Sequence, residues 1–77
     1  MNKDRRKRIE AVREQVEEMT AVLEELRDEE QEAFDNLPES LQYGERGQAM
    51  EAAIDQLDTA YDNLTDAASY LEEAVNQ

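Results

Sequence analysis

The feature that most constrains the fold is one interruption in a chain that otherwise favours helix. Residues 28–47 contain the only proline, Pro38, and both glycines, Gly44 and Gly47. Proline disfavours helical geometry at the residue before it, and glycine adopts conformations that other residues avoid. We therefore expect one helix to end and another to begin here. The apolar residues of this segment predict a packed connection rather than a loose linker: Phe34, Leu37, Leu41 and Tyr43.

On both sides of this segment, apolar residues recur every three or four positions, which is the heptad pattern of helices that pack side by side. The first row consists of Ile9, Val12, Val16, Met19, Leu23, Leu26, Ala33 and Leu37. The second row consists of Met50, Ile54, Leu57, Tyr61, Leu64, Ala68, Leu71 and Val75. Glu30 interrupts the first row, and Phe34 beside it suggests that the stripe rotates by one residue through a stutter. The functional alternative is that Glu30 is a buried carboxylate.

The sequence therefore predicts an all-α fold, a single antiparallel helical-hairpin domain over residues 1–77. We expect the first helix at about 5–36, the turn at 37–44 and the second helix at about 45–75, with Gly44 as its N-cap. Four alanines spaced seven residues apart widen the second apolar stripe: Ala53, Ala60, Ala67 and Ala74. Because one partner helix cannot cover so wide a stripe, we expect a homodimer that forms an antiparallel four-helix bundle.

Charge is distributed unevenly along the chain. The net charge is −13, yet residues 1–8 carry +4 and residues 9–77 carry −17. The basic run Lys3–Arg8 could contact nucleic acid or a phosphorylated surface, but a hairpin would place it beside Glu72 and Glu73, so we favour an internal clasp. The acidic body would repel DNA, and we therefore expect no direct binding to nucleic acid.

An acidic row on the second predicted helix is the main candidate for a binding surface. It consists of Glu51, Asp55, Asp58, Asp62 and Asp66. The row could be an ordinary solvated face. It could also imitate nucleic-acid phosphate, since −17 over about 45 Å gives one charge per roughly 2.6 Å, against about 1.7 Å in duplex DNA. Tyr43 and Tyr70 fall outside the apolar rows and are the aromatic residues most available to a partner.

Composition argues against catalysis and against a membrane location. There is no histidine and no cysteine, so a His-based triad and a thiolate or imidazole metal site are excluded. No segment has the spacing of a calcium-binding EF-hand loop, and we expect no cofactor and no metal. No apolar run approaches the roughly 20 residues of a membrane span, and no signal peptide is evident. We expect a soluble, intracellular protein without enzymatic activity.

The segment Asp28–Gln42, followed by Glu45, Arg46 and Gly47, resembles the central signature of small acidic helical-hairpin proteins of bacteriophage and prophage genomes. The basic start and the closing leucine heptads extend this resemblance over nearly the whole chain. It implies a helical hairpin in the cytoplasm of a bacterial host cell, and it implies no activity and no binding residues. Gly44 departs from the pattern, because such proteins are expected to have a serine N-cap there.

Two functional hypotheses follow from these features. The first is a phage-encoded, non-enzymatic binding module whose DNA-like acidic surface inhibits a host nucleic-acid-binding or defence protein. Its partner would be a host or phage protein with a basic surface. The second is a homodimeric coiled-coil assembly module, in which the acidic surface only confers solubility. Charge reversal of the acidic row distinguishes them, because only the first hypothesis requires those carboxylates for binding.

Overall fold

The computed structural model describes residues 1–77 and contains three helices and no strand. Helix α1 spans Lys3–Asp35, α2 spans Glu39–Gln42 and α3 spans Glu45–Val75. The two long helices pack against each other in opposite directions, so the predicted all-α helical hairpin is confirmed. The hairpin is a rod of 58 × 14 × 12 Å measured over its Cα atoms.

Both long helices begin at a recognisable cap. The side-chain oxygen of Asn2 accepts a hydrogen bond from the backbone N–H of Arg5 at 2.7 Å, which fixes the start of α1 at Lys3. Helix α3 begins after Gly44, whose extended backbone makes it the N-cap as expected, with Glu45 in the favourable first turn. The caps therefore determine where the two long helices begin, and the apolar rows determine which of their faces pack together.

The connection is a packed tip that includes one element the heptads do not predict, the four-residue helix α2. The side-chain amide of Gln42 donates hydrogen bonds to the carbonyl oxygens of Phe34 and Leu37, both at 3.2 Å. Gly47 is buried against the backbone of Gln42. A Cβ atom added to Gly47 would lie 2.7 Å from the Cα atom of Gln42 and closer still to the carbonyl group of Gln42. Only glycine therefore permits this approach of α3 to the end of α2.

The core is narrow, because only Val16, Gly47 and Ile54 are buried. Half-buried residues extend the core in both directions along the line where the two long helices meet. Phe34 lies seven residues after Arg27, and both are half-buried, so Phe34 continues a regular row. The expected stutter near Glu30 is therefore wrong, and Glu30 is half-buried rather than buried.

Candidate interaction surfaces

Two grooves run along the hairpin, one on each side of the line where α1 meets α3. One groove, which we call the apolar side, is lined by Glu18, Met19, Val22, Leu23 and Leu64, and nearer the chain ends by Arg5, Arg8, Ile9, Val12 and Leu71. The other groove, which we call the polar side, is lined by Glu17, Thr20, Thr65, Ala68, Ser69 and Glu72, and nearer the tip by Gln31, Phe34, Glu51, Ile54 and Asp55. The hairpin thus presents two chemically different surfaces.

On the apolar side, large hydrocarbon side chains are exposed. Val12 is 48% exposed, Met19 52%, Val22 52% and Leu26 45%. Val12, Met19 and Leu26 belong to the first predicted row, but the members that turn towards α3 are Ile9, Val16 and Leu23. Half of that row is therefore only partly covered within one hairpin.

The predicted alanine flank borders this same side. Each alanine of the flank lies three residues after a larger apolar residue of α3. The pairs are Met50 and Ala53, Leu57 and Ala60, Leu64 and Ala67, and Leu71 and Ala74. Residues three apart are neighbours on a helix surface, and this step moves further around α3, away from α1. All four alanines are half-buried. They therefore extend the apolar side outward with small side chains.

On the polar side, arginines occupy positions that apolar residues fill in an ordinary heptad interface. Arg13 lies 2.6 Å from a carboxylate oxygen of Glu10 and 2.9 Å from one of Glu17. The hydrogen bond and the charge of Glu10 raise the pKa of Arg13, and Glu17 adds to the effect. Arg27 joins the two helices, since its Nε lies 3.4 Å from Asp58 Oδ1. Counting apolar residues alone misses these two arginines, although their seven-residue periodicity with Thr20 could have revealed them.

The acidic row follows α3 for about 22 Å, at 1.5 Å per residue. Glu51, Asp55, Asp62 and Asp66 are exposed, whereas Asp58 is half-buried and paired with Arg27. In the whole chain, four of the 21 carboxylates have an arginine within 4 Å: Glu10, Glu17, Asp28 and Asp58. Most of the negative charge is therefore not neutralised by the protein itself.

The two candidate tyrosines are exposed but lie far apart. Tyr43 is 75% exposed and forms the C-cap of α2 at the tip, and Tyr70 is 70% exposed near the other end of α3. The 25 residues between the start of α3 and Tyr70 separate them by about 38 Å along the helix. The structure does not bring them together, so they cannot anchor the same small surface of a partner.

The basic run makes one contact with the opposite chain end. The guanidinium of Arg6 donates a hydrogen bond to the backbone carbonyl oxygen of Gln77 at 3.1 Å. The expected clasp with Glu72 and Glu73 does not form as ion pairs, because no basic side chain lies within 4 Å of either carboxylate. Arg5 and Arg8 instead line the end of the apolar groove.

Comparison with protein-family models, curated proteins and solved structures gives no match for this chain. The resemblance to phage helical hairpins therefore stays a hypothesis. No helix combines the length and the apolar character that crossing a bilayer requires. No group of three or more carboxylates is arranged to hold a metal ion.

Proposed function

We propose that this protein is a non-enzymatic binding module whose acidic row on α3 engages a basic surface of another protein. One observation carries the proposal. The row is exposed apart from Asp58, and Asp58 is its only member with an arginine within 4 Å. Surface helices commonly pair such carboxylates with Lys or Arg one turn away. Because Arg46 is the only basic residue of α3, the charge of the row is left available to a partner.

The partner class we infer is a nucleic-acid-binding protein, such as a host defence nuclease, which the module inhibits by occupying the basic groove. Over the 58 Å rod, the net charge of −13 amounts to one charge per about 4.5 Å. Duplex DNA carries one per about 1.7 Å, so one hairpin is the weaker polyanion. Two hairpins side by side would reach one per about 2.2 Å, which approaches DNA. The phage resemblance supports a phage-encoded protein that acts in the cytoplasm of a bacterial host.

The test is a pull-down in which the tagged protein is immobilised and incubated with nuclease-treated bacterial lysate at about 0.15 M salt. At this salt concentration, charges more than about 8 Å apart are largely screened. Retained proteins are identified and then challenged with duplex DNA. We expect a nucleic-acid-binding protein that DNA displaces. Retention of partners that are indifferent to DNA would contradict the proposed mimicry.

A matched pair of variants then tests whether position, rather than total charge, matters. The first variant replaces exposed members of the row, Asp55, Asp62 and Asp66, with lysine. The control replaces Glu14, Asp35 and Glu39 with lysine, which changes the net charge equally at exposed sites outside the row. We expect the first variant to lose at least about tenfold in affinity for the captured partner and the control to lose less. Equal losses would show that the row is not the binding site.

A second candidate function is a homodimeric assembly module, in which two hairpins form a four-helix bundle and the acidic surface only confers solubility. The apolar row Val12, Met19 and Leu26 favours this function, because the hairpin leaves these side chains about half exposed. Under this candidate, the lysine substitutions in the acidic row have little effect. Leu57→Asp or Leu64→Asp would instead abolish both self-association and function.

A further inference from the structure

The apolar side is a surface that lacks a cover. It combines four side chains of α1 that are about half exposed with the leucines and alanines of α3, and its groove follows α1 from Arg5 to Leu23. Water against so much contiguous hydrocarbon is unfavourable, and large exposed apolar patches on small proteins mark binding surfaces.

The accessible surface of the hairpin is larger than that of a compact chain of its mass. A compact monomer of 8.9 kDa would expose about 4,800 Å², whereas this chain exposes 5800 Å². The excess is about 1,000 Å². A stable protein interface removes about 800 Å² from each partner. The rod therefore exposes enough surface for one further chain of similar length to form a stable interface along it.

Along the α1 edge of the apolar side, arginines lie at the chain ends and carboxylates lie towards the tip. Arg5 and Arg8 line the groove at the chain ends. Towards the tip, Glu29 lies seven residues after Val22, and Glu32 lies fourteen after the groove residue Glu18, so both carboxylates border the same side. Each end of this α1 edge is therefore complementary in charge to the opposite end of an identical edge, whereas Arg46, seven residues before Ala53, borders the α3 edge at the tip.

Two antiparallel copies of α1 match each other best when they are aligned about Met19. Val12 and Leu26 lie seven residues before and after it, Arg8 lies eleven before it and Glu29 lies ten after it. Two antiparallel copies of α1 centred there would place Val12 opposite Leu26 and Arg8 opposite Glu29. The parts of the two alanine flanks from Ala60 to Ala74 would meet along the same side, where small residues permit close approach.

We propose that a second copy of this chain covers the apolar side, with the two α1 helices antiparallel about a twofold axis at Met19. This dimer rests on the self-association that the assembly function requires, and it does not depend on a partner for the acidic row. The other arrangement, with both tips at one end, sets α1 against α3 of the second copy. It gathers the acidic groups Asp35, Glu39 and Glu45 of both tips at one end.

Engineered disulfides test this register directly, because the chain has no cysteine of its own. In the Met19→Cys variant, the two cysteines would face each other across the twofold axis. Their Cα atoms would then lie within the separation of about 4–7 Å that a disulfide requires. In the control Val12→Cys, the two residues of a dimer lie about 21 Å apart, because fourteen residues separate Val12 from Leu26. We expect Met19→Cys to form a disulfide-linked dimer at least about tenfold faster under mild oxidation. An equimolar mixture of Val12→Cys and Leu26→Cys should cross-link as a heterodimer.

Sedimentation equilibrium on the unmodified protein separates the possible failures. A dimer in which Met19→Cys cross-links no faster than Val12→Cys would overturn the register and leave self-association intact. A single species of 8.9 kDa would overturn both, and the pull-down would still decide the acidic partner. Circular dichroism on each variant checks that the hairpin is folded.

Charge exchange provides a second readout. Arg8→Glu should weaken the dimer by about 3- to 10-fold, because the twofold axis makes it lose two ion pairs at the rim. Adding Glu29→Arg should restore the affinity. If the double variant is no tighter than Arg8→Glu alone, Arg8 and Glu29 do not face each other and the register is wrong.

Discussion

The two sides of the hairpin are built on the same pair of helices with the same seven-residue spacing, yet they differ in how their side chains are satisfied. On the polar side, Arg13 and Arg27 bind carboxylates of their own helix and, through Asp58, of the facing helix. On the apolar side, Met19 and Val22 remain half exposed and have no polar group to offer to water. The two arginines of the polar side therefore have carboxylate partners within one chain, whereas the exposed side chains of the apolar side have no second apolar surface to cover them.

This difference shows that a heptad pattern specifies which residues avoid water but not which helix covers them. Ion pairs on the polar side are partly exposed and worth at most about 1 kcal/mol each. Burial of one large aliphatic side chain is worth about 1.5–3 kcal/mol. The apolar side therefore holds most of the free energy that remains available for association, whereas the polar side supplies charge.

The largest expected effect comes from breaking the tip, which fixes how α3 is rotated and thus which residues belong to each side. Gly47→Ala would force a Cβ atom into the backbone of Gln42, so we expect a loss of about 3 kcal/mol in the free energy of unfolding. Gly44→Ala is the control, because its Cβ would make an ordinary contact of 3.6 Å with the carbonyl oxygen of Leu41. Urea denaturation of both variants measures the difference. Equal stability of the two would show that the tip does not constrain α3.

An intermediate effect comes from adjacent residues of α3 that lie on opposite sides. Leu64→Asn places an amide in the apolar groove, and we expect it to cost about 2 kcal/mol of stability. Thr65→Asn changes the polar groove, where water can solvate the new group, and should stay within about 0.5 kcal/mol. Urea denaturation at one matched protein concentration compares them. Similar losses would mean that the two sides are not chemically distinct.

The smallest effect concerns the one ion pair that joins the two helices across the polar side. Arg27 and Asp58 are partly exposed at 3.4 Å, so a double-mutant cycle with Arg27→Met and Asp58→Asn should give a coupling energy below about 1 kcal/mol. Thermal or urea unfolding of the four proteins supplies the cycle. A coupling above about 2 kcal/mol would show that the polar side stabilises the hairpin as strongly as the apolar contacts do.

The all-α hairpin could be predicted from the sequence because two long periodic rows and a single Pro and Gly segment agree with each other. Helix α2 could not, because its four residues are too few to show a period. The packing of Gly47 on Gln42 is likewise invisible in the sequence. It depends on a distance between two backbones that no side-chain pattern records.

The candidate surfaces were only partly predictable. The spacing of Glu51 to Asp66 identified an acidic row, and the alanine spacing identified a flank of the apolar side. The division of the first apolar row was not predictable, because Val12 and Val16 are equivalent in a heptad until the rotation of α1 against α3 is known. That rotation places Val16 against α3 and leaves Val12 in the open groove.

The packed tip also has a consequence for the order of folding. Near the tip, the hydrogen bond from Gln42 to Phe34 closes a loop of eight residues, whereas the contact between Arg6 and Gln77 closes one of 71. The entropy cost of loop closure rises with length, so contacts near the tip form most readily from the unfolded chain. We expect pairing of α1 with α3 to start at the tip and spread towards the chain ends. Amide protection against hydrogen exchange should decline in the same direction, so that the chain ends are the first part of the hairpin to open.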